Sequence, residues 1–392
     1  MRETVAAVPV ILNLIALTTF AANLSVRAVD PVLPHIASDL AVSTAQAAGL
    51  SAGLAFTFAI VQPMIGAAAD LFGKTRLIVL CLSLLGIGSI LGAFVTSFPI
   101  LLATRILCGI GAGGVFPVAL GLISDFIPLA QRQVAMGRIL AGAMIGNILG
   151  AALAGAIGDI MGWRGVLLLL GILTLSAASA AAFGLRGRAI NRADSPASLA
   201  TLAHGYRVLF ANPRTKICYL VVFFEGCCVL GVLPFVAAFL FDLGETRLSI
   251  AGTVIAGFAI GGLLYTVCIE RMLPRLGMRG LMIGGAALAG MQLILLGAGL
   301  PWQVQTASFV VLGFGFYMLH GCMQVFASEL SAEARATSLS LHACFFFLGQ
   351  TAGPIAYGFG VEHYGKLTTL SISAGAMMLV GIASALLLAK RT

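Results

Sequence analysis

The longest polar stretch of the chain, RGRAINRADSPASLATLAHGYRVLFANPR at residues 186–214, separates two long apolar halves. The 392 residues are 60% hydrophobic and 9% charged, with a mean hydropathy of +1.07, whereas soluble domains have about 25% charged residues. This composition predicts an integral membrane protein. Transmembrane β-strands would alternate in short runs of about ten residues, and the sequence lacks that pattern, so helices are expected.

Six apolar runs precede the polar stretch and six follow it. Each can cross a hydrocarbon core of about 30 Å, which requires about 20 helical residues. The predicted fold class is an all-α integral membrane protein with 12 transmembrane helices in two pseudo-symmetric six-helix bundles. The bundles comprise residues 1–185 and 215–392, joined by a cytoplasmic linker at residues 186–214. The runs lie near residues 9–34, 43–69, 76–97, 99–124, 134–159, 165–185, 216–241, 249–269, 279–299, 303–328, 336–360 and 368–389.

The two halves align when the sequence is shifted by about 203 residues, which indicates a duplication. Transporters built from such repeats usually bind substrate at the repeat interface near the membrane midplane. The aligned pairs include Asp39 with Asp242, Gly49 with Gly252, Arg132 with Arg335, Asn147 with Gln350, Asp159 with Glu362 and Gly162 with Gly365.

Basic residues predict the orientation, because short cytoplasmic loops are enriched in Lys and Arg. With both termini in the cytoplasm, seventeen basic residues lie in cytoplasmic segments and three lie in outer loops. The net charge of +8 therefore reflects this bias and predicts no nucleic-acid partner. The cytoplasmic set is Arg2, Lys74, Arg76, Arg132, Arg138, Arg186, Arg188, Arg192, Arg207, Arg214, Lys216, Arg271, Arg275, Arg279, Arg335, Lys390 and Arg391.

Several motifs together resemble the major facilitator superfamily. GAAADLFGKTR at residues 66–76 is similar to its signature loop, and RILCGIGAGG from Arg105 is similar to the arginine-glycine motif of its proton-coupled drug and metabolite exporters. GWR at residues 162–164 and LPHIASDL at residues 33–40 fit the same branch, which includes exporters of sugars, nucleobases and drugs. One departure is Asn147, which stands where the antiporter motif usually has proline.

Arg27 and Asp30 are the first candidate pair for the substrate site. They lie one helical turn apart in the first run, so both project from one face and can pair. Charges inside the membrane usually face a cavity and serve function. The alternative is a self-neutralising pair that stiffens the outer end of the helix.

Arg105 enters the fourth run at a similar depth. Two arginines against one acid leave an excess positive charge that suits a carboxylate or phosphate on the substrate. The family resemblance instead implies a part in proton coupling for Arg105, with Asp30 a plausible partner. A purely structural arginine bonded to backbone carbonyls is the remaining alternative.

Glu225 is the deepest acid, about 14 Å beyond Lys216 at 1.5 Å per residue. A carboxyl group at that depth is a candidate for binding and releasing the coupling proton. His320 and His342 can also titrate near neutral pH. The alternative for all three is a hydrogen-bonded packing role.

Further polar residues in the apolar runs are predicted to face the same cavity, although interhelical hydrogen bonds explain them equally well. These residues are Asn23, Gln62, Asn147, Gln324 and Gln350.

Conformational gating is assigned by resemblance to Asp70, Gly73, Arg76 and Arg335. In the family, the acid at the position of Asp70 interacts with the N-terminus of the eleventh helix, which here begins near Arg335. An acid complements the positive end of a helix dipole. A structural turn at Gly73 is the alternative.

The sequence offers no sign of an enzyme or a resident cofactor. All eight cysteines fall in predicted helices, so neither a disulfide framework nor a CxxC metal pair is expected. No phosphate-binding GxxxxGK[ST] loop is present, which argues against ATP as the energy source.

The predicted function is secondary active transport of a small organic solute across the cytoplasmic (inner) membrane by alternating access. Proton-coupled efflux by antiport is the first expectation, with protons as the coupling ion and a monomer as the working unit. The alternatives are a proton-coupled importer of a small organic anion and a lipid flippase.

Overall fold

The computed structural model describes residues 2–186, 199–331 and 333–388, and every regular element in these ranges is a helix. Ten of the helical segments are long and apolar enough to cross a membrane. The α-helices are α1 Arg2–Val26, α2 Leu33–Asp39, α3 Thr44–Val61, α4 Ile65–Phe72, α5 Lys74–Ala93, α6 Phe98–Phe126, α7 Leu129–Gly184, α8 Leu199–Ala211, α9 Pro213–Val229, α10 Val236–Phe241, α11 Leu248–Gly297, α12 Trp302–Glu329, α13 Arg335–Tyr364 and α14 Lys366–Leu387.

Two of these helices each contain two membrane spans. α7 is interrupted at Gly162, with φ 68°, and α11 at Gly277, with φ 61°. Glycine is the residue that adopts positive φ at little steric cost, so the chain reverses there without a longer loop. Dividing both helices at these glycines gives twelve spans in the described part of the chain, which confirms the predicted number.

The first and seventh spans are broken at equivalent positions of the repeat. A 3₁₀ segment at Asp30–Val32 links α1 to α2, and a second at Leu230–Phe235 links α9 to α10. Pro31 and Pro234, which are 203 residues apart, lie in these breaks and lack the N–H that a continuous helix needs. Arg27 and Asp30 therefore lie in this break, after the end of α1 at Val26, and still pair with each other as predicted.

Glycine sets how closely neighbouring helices approach. A Cβ on Gly313 of α12 would lie 1.9 Å from the carbonyl oxygen of Phe258 in α11, and one on Gly261 would lie 2.0 Å from that of Val310. Close backbone approach through small residues is the usual way in which helices associate in lipid. At these positions only glycine fits without moving the neighbouring helix.

Each end of the bundle holds an ion pair between helices. The end that holds Gly73, Gly277 and the start of α13, called here the basic end, also holds the Lys74–Asp125 ion pair at 2.8 Å. At the opposite end, Arg164 pairs with Asp39. The two halves meet along the axis between these ends.

Candidate functional site

A cavity of about 320 Å³ lies between the two halves. This volume is at the lower end of the range of small-molecule sites. The N-terminal half contributes residues of α1, α3, α6 and α7, and the C-terminal half contributes residues of α11, α12, α13 and the 3₁₀ segment Leu230–Phe235. Polar side chains line both sides, namely Asn23, Arg27, Gln62, Asn147, Tyr317, His320, Gln324 and Gln350.

Aromatic rings dominate the apolar part of the lining. Phe58 of α3 stacks on Phe347 of α13, with ring centroids 3.8 Å apart, so this ring pair joins the two halves. Phe346 packs beside His320, at 4.8 Å between centroids. This aromatic surface was not predicted from the sequence, although the FFF triplet at residues 345–347, one turn before Gln350, was its signal. The remaining aromatic lining residues are Phe116, Phe258, Phe316 and Tyr317.

Arg27 connects the two halves at the cavity. Its Nη1 lies 3.3 Å from Oδ2 of Asp30, and its Nη2 donates to Oε1 of Gln350 in α13 at 2.5 Å. Ser51 Oγ donates to the second carboxylate oxygen of Asp30, at 2.5 Å. Asp30 is buried behind the lining, whereas Arg27 reaches the cavity. The sequence predicted the Arg27–Asp30 pair but gave no signal for Ser51 or Gln350 as partners.

Arg105 lies outside the cavity lining. It is 2% exposed, and its Nη2 donates to the carbonyl oxygen of Ser25 at 3.5 Å. Its Nε and Nη1 have no hydrogen-bond partner among the described residues. The contact to α1 matches the backbone-bonded alternative, while the two unused donors leave room for an acidic partner.

Glu225 and His320 form a buried pair in the C-terminal half. Glu225 is 0% exposed, and its Oε1 lies 3.2 Å from Nδ1 of His320, without the geometry of a hydrogen bond. Gln324 Nε2 donates to Nε2 of His320 at 3.2 Å, an arrangement that leaves the ring proton on Nδ1, facing Glu225. His342 lies next to this pair, with its ring centroid 5.3 Å from that of His320.

The remaining polar lining residues bond across helices. Asn147 Nδ2 donates to Oδ1 of Asn23 at 3.0 Å, and Gln62 Nε2 donates to the carbonyl oxygen of Gly113 at 3.0 Å. A Cβ on Gly146 would lie 2.6 Å from the carbonyl oxygen of Phe20, so α1 and α7 cross closely beside Asn147. Both predicted roles, cavity lining and interhelical bonding, are therefore combined in these residues.

The predicted gating residues lie at the basic end. Gly73, with φ 80°, joins α4 to α5, and Arg76 is exposed in the first turn of α5. Arg335 begins α13, and its Nε donates to the carbonyl oxygen of Ser328 at 3.0 Å. Asp70 lies in α4, but its side chain is outside the described part of the structure, so its predicted contact with α13 stays a prediction.

The two halves are in contact beyond one end of the cavity, while two of its lining residues remain exposed. Leu140 of α7 lines the cavity and is 49% exposed, and Gln324 of α12 is also a lining residue that remains exposed. At the opposite end Leu248 of α11 is 0% exposed and packs against α7. The two halves therefore contact each other at the end opposite the basic end.

Known proteins resemble this chain over most of its length. The sequence profile of the Major Facilitator Superfamily matches residues 15–354. The "Probable sulfoacetate transporter SauU" of Cupriavidus necator is 23% identical, with 98% of this chain and 95% of that protein covered. The quinolone resistance protein NorA of Staphylococcus aureus is 26% identical, with 92% and 91% covered. The crystal structure of the nucleoside transporter NupG superposes with a TM-score of 0.77 at 16% identity, over 95% of this chain and 98% of that one.

Proposed function

The chain belongs to the major facilitator superfamily, and from this premise we propose that it moves a small organic solute across the cytoplasmic membrane by alternating access. Its relatives and structural neighbours are transporters, so the protein is a transporter and not an enzyme. The observation that carries the proposal is the cavity between the halves, which polar and aromatic side chains line from both sides.

The solute occupies the space between Arg27, the Asn23–Asn147 pair and the aromatic rings of α13. Arg27 and Gln350 lie on different halves and bond to each other directly. A solute that takes over one of these bonds changes the contact between the halves. Binding energy then differs between the two conformations, which is the condition for a ligand to shift the equilibrium.

Protons are the coupling ion, and Glu225 with His320 is the site that holds them. A buried carboxylate without hydrogen bonds is costly, so a proton is the natural ligand of this pair. His320 and its partner Gln324 line the cavity, whereas Glu225 lies behind them. A solute that contacts Gln324 therefore alters the hydrogen bonding of the proton site without touching Glu225.

Export against incoming protons is the direction we propose, on the resemblance of RILCGIGAGG to exporter motifs and on the similarity to NorA. In this scheme Arg105 acts on Asp30 rather than on the solute. Its two unused guanidinium donors are buried beside α1 and provide the charge for that role.

Import of a small organic anion is the second candidate. It is supported by Arg27, the cation that reaches the cavity, and by the likeness to a sulfoacetate transporter. A guanidinium presents paired donors that fit a carboxylate or sulfonate. Asp30 neutralises part of this charge, so an anion must displace that contact.

We also propose the membrane setting and domain limits. The basic end faces the cytoplasm, because seventeen of the basic residues lie in the segments assigned to that side. The working unit is a monomer with bundles at residues 1–185 and 215–392 and a linker at residues 186–214. Residues 187–198 of the linker lie outside the described ranges.

The test is solute and proton movement in proteoliposomes. Purified protein is challenged with sulfoacetate, a quinolone, a nucleoside and a sugar, while a trapped dye reports internal pH. Opposite movement of protons and solute supports export by antiport. Movement in the same direction supports the importer, and solute movement without protons would refute proton coupling.

Arg27→Gln separates the two candidates by charge. The variant keeps a polar side chain but removes the cation, so loss of sulfoacetate transport alone favours an anion substrate. Equal transport of sulfoacetate by both proteins would contradict that candidate. Empty liposomes and the variant Arg275→Gln, at an exposed position outside the cavity, serve as controls.

A further inference from the structure

A carboxylate of one half caps a helix of the other half at the end opposite the basic end. Asp159 of α7 accepts the N–H of Leu248 through Oδ1 at 2.7 Å and the N–H of Ser249 through Oδ2 at 2.9 Å. These are the first two N–H groups of α11, which have no partner within their own helix. The residue that precedes α11, Arg247, makes no side-chain cap.

The backbones around this cap are in close contact. A Cβ on Gly155 would lie 2.3 Å from the carbonyl oxygen of Leu248, and one on Gly252 would lie 2.3 Å from that of Ala151. The carboxylate therefore lies at the point where α7 and α11 cross, between the two halves. Separation of the halves at this end removes the cap from α11 and exposes both groups to water.

At the position related to Asp159 by the repeat, the described residues form no such helix cap. Glu362 of α13 aligns with Asp159, yet it is exposed and makes no hydrogen bond or ion pair with any described residue. The N-terminus of α3, which packs near Glu362, is capped within its own half. Ser43 Oγ accepts the N–H of Gln46, and the Gln46 side chain accepts the N–H of Ser43.

We propose that Asp159 is the latch that holds the opposite end of the cavity closed, by supplying from the N-terminal half the cap that the first turn of α11 lacks. The inference rests on the proposed alternating access. The interaction is charge-assisted and aligned with the helix dipole, and it exists only while the halves are together. It thus adds to the closed state a stabilisation that the open state lacks.

Distance measurement between the halves tests the latch. Nitroxide labels are attached through ketone-bearing unnatural residues at Thr96 and Gln303, exposed positions of the two halves at the opposite end, which leaves the native cysteines untouched. Double electron–electron resonance is recorded without solute and without a pH gradient. Asp159→Ala, which removes both accepting oxygens, is expected to raise the ratio of long to short distances by about 2- to 30-fold, the range for loss of a helix cap.

Glu362→Ala is the matched control and should leave the distance distribution of the wild type unchanged. A distribution in Asp159→Ala equal to that of the wild type would overturn the latch. Equal opening by both variants would overturn it too, because the effect would then follow from loss of any acid at this end.

Gly155→Val provides a test that keeps Asp159. The added side chain forces the halves apart at Leu248, so amide hydrogen exchange at Leu248 and Ser249 should accelerate as the long distance appears. Opening without faster exchange at these amides would refute the capping role. A different result would indicate that the proposed function is wrong. In that case no solute of the panel would change the distances in the wild-type protein, whether or not the variants open.

Discussion

Replacement of Glu225 by Gln is the sharpest test of proton coupling. The side chain is fully buried, its two oxygens have no hydrogen-bond partner in the described ranges, and His320 is its one ion-pair neighbour. Glu225 does not line the cavity, so the near-isosteric change leaves the solute contacts in place. Proton binding is removed while solute binding is retained.

The expected magnitude follows from the proposed exchange of one proton per cycle at this pair. One unit of pH difference is worth about 1.36 kcal/mol per proton, which corresponds to an approximately tenfold solute gradient. With the membrane potential clamped at zero, wild-type proteoliposomes should reach this ratio. Glu225→Gln should equilibrate the solute without accumulation, while exchange of labelled for unlabelled solute continues.

The assay measures the final ratio of labelled solute inside and outside the vesicles after an imposed pH step. Glu245→Gln is the control, because that acid lies outside the spans and away from the cavity. An accumulation of about tenfold in Glu225→Gln would refute the assignment. Loss of both accumulation and exchange would show that Glu225 is needed for the movement itself.

Three further predictions concern binding, packing and pH. Arg27→Lys keeps the charge but not the paired donors, so the Kd of an anionic solute should rise about tenfold in calorimetry. An unchanged Kd would show that Arg27 does not contact the solute. Gly313→Ala should lower the free energy of unfolding by about 2 kcal/mol through overpacking, whereas Gly375→Ala, which meets nothing within 4 Å, should not destabilise the protein in the same thermal-shift assay. The hydrogen bonds from Arg247 lower the pKa of Glu245 to about 2. The contribution of this carboxylate to stability is therefore fully present above the usual pKa of a glutamate, and it is lost as the pH falls from there toward about 2. Glu245→Gln should therefore leave the transport profile between about pH 5 and pH 8 unchanged, and a shifted profile would contradict this reading.

Local features of this protein were predictable from the sequence alone. Hydropathy gave the twelve spans, and the turns at Gly162 and Gly277 follow from residues that act on their own backbone. The contact between Arg27 and Asp30 was predictable because only two residues separate them. The break after Val26 was missed, although Pro31 was its local signal.

The pairing of polar groups on different helices was decided by the tertiary structure. Arg27 meets Gln350, Glu225 meets His320, and Asp159 meets the start of α11, each across a large sequence separation. In a soluble protein, the apolar stripe of an amphipathic helix shows which face points inward. A helix that is apolar all round gives no such signal. The rotation of each helix depends on where glycines allow backbones to touch. Sequence therefore determined which segments enter the membrane, and only the packing of those segments determined which polar side chains meet.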